Sequence, residues 1–298
     1  MEAVTSIKIE RSAWYNFSQI TKFRLSVSVV ISALAGYLLG TTSFSWVIFG
    51  LLFFGGYCLV GASNVFNQII ECDLDAKMDR TKNRPLPLGS MSVQTALFLG
   101  FILLGLGLVA LYFINPKTAM FGAISVFLYT SAYTPLKTVT PLSVFVGAFP
   151  GAIPFMLGWV AATGDFGIEA GTLFMIQFFW QFPHFWAIGW CMDDDYKKAG
   201  FKMLPTNKKD KSTALQIVLY TIWTILASML PAFGITGQFQ ISIISAVLVL
   251  LLGFGFLYYA LKLFRERSNA AARRLLFVSI IYITLLQMIY VIDKFITI

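Results

Sequence analysis

The segment NQIIECDLDAKMDRTKNRPLP, Asn67 to Pro87, follows an apolar stretch long enough to cross a bilayer. Its Asn67, Glu71, Asp75 and Asp79 stand four residues apart, a spacing that predicts one acidic stripe if the helix continues. Like charges so placed repel by roughly a few tenths of a kcal/mol per pair, and a membrane boundary makes that repulsion worse. A divalent cation removes the cost. Lys77, Arg80 and Arg84 make a second, cationic stripe, so the segment reads as a site for magnesium beside a diphosphate. Asp73 points away from Glu71 and Asp75 on a regular helix and joins them only where the helix frays. The plainer alternative is a solvated helix end paired with Lys77 and Arg80. The position of Asn67 and Glu71 at the rim of the apolar region weighs against it, because unpaired polar groups are expensive there.

Working outward, the 298-residue chain is 58% hydrophobic and 12% charged, against about 25% charged in a soluble domain. It is read as an all-α polytopic membrane protein. Nine apolar runs approach the ~20 residues that a bilayer requires, at about 23–41, 45–70, 92–114, 118–134, 142–163, 172–192, 214–234, 240–263 and 275–297. They predict nine transmembrane helices in one bundle around a central cavity. Among the basic residues, Lys8, Arg11, Lys22 and Arg24 lie in the N-terminal segment, and Lys77, Arg80, Lys82 and Arg84 follow the second run. Lys137 follows the fourth, Lys197, Lys198, Lys202, Lys208, Lys209 and Lys211 follow the sixth, and Lys262, Arg265, Arg267, Arg273 and Arg274 lie around the connection of the eighth to the ninth. Only Lys117 and Lys294 fall on the other side. The positive-inside rule then puts the N-terminus and the charged loops in the cytoplasm and the C-terminus outside, with an odd number of spans.

The net charge of +8 is thus a property of the cytoplasmic face, suited to anionic lipid and anionic substrates rather than nucleic acid. The first 22 residues, which include Glu2 and Glu10, lack the pattern of a secretory or transit segment, and the expected home is a bacterial inner membrane. Cys58, Cys72 and Cys191 form no CxxC pair and no zinc spacing. The longest connections, the motif loops near 71–91 and 193–213, are too short for a soluble domain, so residues 1–298 are expected to form a single intramembrane domain.

A second acidic cluster, Asp193, Asp194 and Asp195, lies four spans after the first and on the same side, which suggests a four-span pseudo-repeat. Asp193 with Lys197 and Asp194 with Lys198 are favourable i, i+4 pairs. Asp195 has no such partner, which makes it the first choice for a second metal ligand, with Asp194 next. Two opposed acidic groups with Lys and Arg around them, Lys198 included, can hold a diphosphate through metal ions and stabilise it as a leaving group. The carbocation left behind needs shelter from water, which an apolar membrane cavity provides. His184, in WQFPHFW (Trp180 to Trp186), lies eleven residues before Asp195, about 16 Å of helical rise. It is either a packing residue bonded to Gln181 or a neighbouring helix, or a ligand for iron or haem. Span five carries Gly147, Pro150, Gly151, Pro154 and Gly158, a bent wall around a pocket. A cation-coupled transporter would instead concentrate its ionisable residues near the bilayer midplane.

The first motif, YTPLKT (Tyr133 to Thr138), VGAFPGAIPFMLGW (Val146 to Trp159), WQFPHFW and DDDYKKAGFKMLP (Asp193 to Pro205) together resemble the UbiA-type intramembrane prenyltransferases. Within that superfamily they look like the haem-farnesylating branch, over residues from about 20 to 290. The resemblance implies magnesium-dependent transfer of a farnesyl group from farnesyl diphosphate to a vinyl group of haem b, giving haem O. It implies metal ligation by Asn67, Glu71, Asp75, Asp194 and Asp195. Arg80, Arg84, Tyr133, Lys137 and Lys198 become diphosphate contacts, with Asp75, Asp195 and Lys137 central to catalysis, and His184 becomes a haem contact. A haem A synthase or a terminal oxidase is the assembly partner this branch suggests. Glu71 stands where the superfamily has aspartate, and the second motif is a run of three acids without the usual spacing. The runner-up is a prenyltransferase of the same architecture acting on a quinone precursor or another aromatic acceptor.

Overall fold

A computed structural model describes residues 11–297. Lys8, Glu2 and Glu10, used above for orientation and targeting, lie outside the described residues. Among the described residues every regular element is helical. In chain order they are α1 (Ala13–Ile20), α2 (Phe23–Gly40), α3 (Trp46–Ile70), α4 (Cys72–Asp75), α5 (Val93–Ile114) and α6 (Pro116–Phe127). A π-helical turn, Leu128–Tyr133, leads into α7 (Thr134–Leu136). Then follow α8 (Ser143–Thr163), α9 (Ile168–Cys191), α10 (Asp193–Lys198), α11 (Lys211–Met229), a 3-10 turn Leu230–Phe233, α12 (Ile243–Glu266) and α13 (Asn269–Thr297).

Local sequence sets where these helices begin. Ser12, Ser45, Ser92, Asn115, Asp210 and Ser242 each accept a hydrogen bond from the backbone N–H three residues on, satisfying a donor that the first turn leaves orphaned. Eight helices among the described residues, α6 being counted through to Leu136, are long and apolar enough to cross a membrane. The sixth expected span, α9, is a continuous 24-residue helix whose Gln177, Gln181, His184 and tryptophans keep it out of that set. Trp46, Phe98, Phe113 and Ile243 are exposed around the bundle, as lipid-facing positions are. The chain is a multi-pass membrane protein.

Neighbouring helices follow one another round the bundle: α3 packs on α5, α6 on α8, α8 on α9, α9 on α11, and α12 on α13. The first and fifth spans, α2 and α8, also pack against each other. Gly36 and Gly158 permit that crossing, because a Cβ on Gly158 would lie 1.8 Å from the Ala33 carbonyl oxygen. Pro154 inside α8 has no N–H to give the Pro150 carbonyl, and Ser125 Oγ on α6 donates to that oxygen at 3.2 Å. The side with few basic residues is closed by Lys117, which pairs with Asp165 at 2.7 Å. Lys294, near the end of α13, donates to the Leu38 and Leu39 carbonyls at the end of α2. These two helices therefore end at the same face.

The two motif helices break alike. α3 stops at Glu71 (φ −96°, ψ 10°) and α9 at Met192 (φ −106°, ψ 11°), and a short helix follows each break. This corrects the expectation of a continuous acidic stripe. After α4 the chain runs in turns, Asp79 leaves the Asn67–Glu71–Asp75 face, and Lys77, Arg80 and Arg84 form no common stripe.

Candidate active site

Asn67 and Glu71 lie at the end of α3, and α4 carries Asp75 one turn further; all three are buried. Glu71 Oε1 accepts from Lys137 Nζ at 2.8 Å, and Asp75 Oδ2 accepts from Arg84 Nη1 at 2.6 Å. The Asn67 amide donates to Thr134 Oγ1 at 3.1 Å, while its Oδ1 accepts from Lys22 Nζ at 3.4 Å. Three helical segments and two loops thus converge. The Asp75 carboxylate keeps one oxygen, Oδ1, buried without a hydrogen-bond partner. Buried acceptors rarely stay unpaired, so this oxygen marks where a cation or a donor fits.

The π-helical turn shapes the wall beside these groups. It brings the Tyr129 and Tyr133 rings together, 5.2 Å between centroids and tilted by 49°, and such π turns are frequent at functional sites. Lys137 Nζ sits 4.5 Å from the centre of the Tyr133 ring and 5.7 Å from that of Phe201. Gly147 of α8 leaves room for Tyr133, since a Cβ there would fall 2.6 Å from the ring.

Below this rim the face of α3 turns apolar. Gly56, Leu59, Val60 and Ser63 continue at helical spacing beneath Asn67, and all four border a small apolar cleft of about 40 Å³ that also touches Val126 and Ile153. Ser63 lies about 6 Å, and Gly56 about 16 Å, down the helix axis from Asn67. The polar rim at the end of α3 is thus followed along the same helix by an apolar face.

The second motif meets the first from above. Asp195 accepts the backbone N–H of Asp79 through Oδ1 at 2.8 Å and that of Arg80 through Oδ2 at 3.2 Å. Lys198 bonds Asp79 and lies 3.4 Å from Asp195, and Lys82 pairs with Asp79 at 2.7 Å. The hydrogen bonds from Lys198 and Lys82 pull the Asp79 pKa down to about 2. Arg80 itself is exposed and lies over the Tyr196 ring at 6.0 Å.

The expected Asp193–Lys197 pair is present at 2.7 Å. The expected Asp194–Lys198 pair is not: Lys198 turns to Asp79 and Asp195, while the Asp194 side chain, 86% exposed, lies 3.7 Å from Lys209. A carboxylate that is free in solvent gives up little to be near a distant ammonium, whereas Lys198 meets two acids at once. Asp194 is thus apart from the converging groups. Asp73 is exposed as well. His184 bonds Ser279 of α13 at 2.8 Å rather than Gln181, which donates to the Ala148 and Gln177 carbonyls.

Residues 29–281 match the UbiA prenyltransferase family, which covers most of the chain. The chain belongs to that family. A UbiA-family relative from Christiangramia forsetii, "Protoheme IX farnesyltransferase", is 65% identical over 281 residues, covering 94% of either chain. A solved structure, that of a digeranylgeranylglyceryl phosphate synthase, has a TM-score of 0.78 at 20% identity and covers 94% of this chain and 98% of its own. Another, a UbiA homologue from Archaeoglobus fulgidus bound to GPP and Mg2+, has a TM-score of 0.68 at 15% identity, covering 93% and 99%. These two establish the UbiA fold for the chain.

Within this UbiA fold the sequence reading missed Lys22, which it had counted only for orientation. Lys22 takes a left-handed backbone (φ 48°) between α1 and α2, a conformation costly for a side chain of this kind. Gln68 and Asn64 of α3 hold the turn by donating to the carbonyls of Gln19, Ile20 and Thr21. Burial, reinforced by repulsion from Arg84 and Lys137, pushes the Lys22 pKa down to about 7. A basic residue opening a span has many ordinary explanations, so no local signal singles it out.

Proposed function

We propose that the protein transfers a farnesyl group from farnesyl diphosphate to a vinyl group of haem b, giving haem O and diphosphate. The observation that carries this reading is the rim of buried Asn67, Glu71, Asp75 and Lys137 with half-buried Arg84 and Lys22, at the head of an apolar face of α3. The relative "Protoheme IX farnesyltransferase" supports the acceptor, and the homologue bound to GPP and Mg2+ supports the metal. Asn67 Oδ1, Glu71 and the unpaired Oδ1 of Asp75 are the donors that would hold magnesium. Two carboxylates and an amide suit it, because magnesium keeps water and phosphate oxygens among its ligands. Bound there, it would supply positive charge that steadies the diphosphate as it leaves.

The chain's own residues do the rest. Lys137 and Arg84 turn from their carboxylates toward the diphosphate oxygens, and with Lys22 they stabilise the charge that builds as the carbon–oxygen bond breaks. Asp195 acts through the loop, holding the backbone of Asp79 and Arg80 so that Arg80 stays near the mouth. Asp194 has no part in this scheme. The farnesyl tail lies along the apolar face of α3, whose side chains keep water from the allylic cation. Tyr133 offers a ring face to that cation, worth ~0.5–2 kcal/mol. The vinyl group's terminal carbon forms the new carbon–carbon bond, and water adds to the resulting haem-side cation with loss of a proton. His184 contacts the haem.

In this reading the chain is one intramembrane domain with nine spans, its N-terminus and motif loops in the cytoplasm of a bacterial inner membrane. The product would pass to a haem A synthase or to oxidase assembly. Incubation of purified protein with farnesyl diphosphate, haem b and magnesium tests the function by mass spectrometry. Haem gaining one farnesyl group and one hydroxyl group is the expected product. Prenylation of an aromatic quinone precursor with haem left untouched would favour the runner-up.

A further inference from the structure

Trp180 and His184 of WQFPHFW share one partner on the last helix. Trp180 Nε1 donates to the Ser279 carbonyl at 2.7 Å, and His184 Nδ1 lies 2.8 Å from Ser279 Oγ. The two rings stack on each other, 4.6 Å between centroids and 22° between planes. Ser279 is fully buried, and its hydroxyl already donates to the Leu276 carbonyl at 2.7 Å.

That second bond decides the first. A hydroxyl has one proton, and with that proton on Leu276 the oxygen can only accept from His184. Nδ1 therefore carries the hydrogen. A neutral imidazole has a single N–H, so Nε2 is left with its lone pair, and among the described residues no hydrogen bond engages it. The reversed tautomer would set the Nδ1 lone pair against an oxygen with no proton to offer. Trp180, stacked on the ring and tied to the same residue, holds the plane of the imidazole.

We propose that Ser279 is a positioning residue: it fixes His184 in the Nδ1–H tautomer and so aims an Nε2 lone pair at the iron of the haem substrate as an axial ligand. This rests on His184 being the haem contact. Hydrogen bonding at the far nitrogen is the usual way a protein orients a ligating histidine and raises its basicity. The indole and the hydroxyl supply that support from opposite sides of one serine.

The test uses the full chain purified in detergent, titrated with haem b and read by its Soret absorption. In parallel, magnesium-dependent binding of farnesyl thiodiphosphate serves as the control for folding. Ser279→Ala is expected to shift the Soret band and to weaken haem binding about 10- to 100-fold, as losses of such outer partners do. Ser279→Thr keeps the hydroxyl and is expected to restore the wild-type band. His184→Ala is expected to abolish that band, and all three variants to bind the diphosphate analogue normally. A Ser279→Ala protein with wild-type band and affinity, beside a His184→Ala protein that has lost them, would overturn the role of Ser279 alone. Equal impairment of Ser279→Thr and Ser279→Ala would show a packing role and overturn it too. An unchanged band in His184→Ala would overturn the haem assignment of His184 on which the inference stands.

Discussion

Replacing Lys137 by Met should do more damage alone than together with Glu71→Gln. The side chains of Glu71 and Lys137 are 5% and 9% exposed and meet at 2.8 Å. Removing only the lysine leaves a carboxylate in a nearly dry site, at a cost of about 3–5 kcal/mol. Neutralising both removes the charge that needed a partner, and such exchanges are often neutral or even stabilising by about 1–4 kcal/mol. At roughly 2 °C per kcal/mol for a chain of this size, Lys137→Met should lower the unfolding midpoint by about 6–10 °C. The double variant should recover most of that. Tryptophan fluorescence during thermal unfolding in detergent follows the change. Farnesyl transfer should be lost in both variants, because both lack the ammonium that faces the diphosphate. A double variant as unstable as Lys137→Met would refute the reasoning, since the two charges would then not be coupled.

Other outcomes follow from the same geometry. Asp195→Ala removes the acceptor of two backbone N–H groups; hydrogen bonds to a charged group contribute about 1.5–3 kcal/mol, so the unfolding midpoint should fall by about 3–6 °C, and KM for farnesyl diphosphate should rise as the loop that holds Arg80 loosens. Asp194→Asn, at an exposed side chain away from the mouth, should leave kcat/KM for farnesyl diphosphate within about twofold of wild type, as surface changes usually do. The Asp79 pKa, about 2, lies below its ordinary value near 3.8, so the loop anchoring it provides is present above that ordinary value and is lost as pH falls through about 2. Protection against hydrogen exchange over residues 77–84, taken relative to the intrinsic rate at each pH, should therefore fall between pH 4 and pH 2 in the wild type and be lower already at pH 5 in Asp79→Asn. Gly158→Ala, whose Cβ would meet the Ala33 carbonyl oxygen at 1.8 Å, should destabilise by about 1–3 kcal/mol or more. Gly171→Ala, with open space around it, should be neutral or stabilising by thermal unfolding.

The bundle was largely legible because the bilayer imposes its own length on apolar runs. The reading at 45–70 became Trp46–Ile70, and 142–163 became Ser143–Thr163. The last span begins earlier than read, at Asn269, because Arg273 and Arg274 stay helical where hydropathy alone sees a charged loop. Within the site, residue identities were readable and pairings were not. Glu71 meets Lys137 across 66 positions, and Asp195 reaches Asp79 across 116. Such distances leave no trace in local spacing. Helical periodicity even misled, since it carried the acidic stripe through to Asp79, whereas the chain breaks at Glu71 and solvent-facing lysines draw Asp79 away. Lys22 and Ser279 were silent for a related reason: a turn held by α3 gives meaning to the first, and a partner on another helix gives meaning to the second.

Calorimetric titration of farnesyl thiodiphosphate into the wild-type protein and into Asp75→Asn, each with and without magnesium, tests the central claim most directly. Tight, magnesium-dependent binding in the wild type and its loss in Asp75→Asn is the predicted result. Equal affinity in both proteins, or binding indifferent to magnesium, would contradict it.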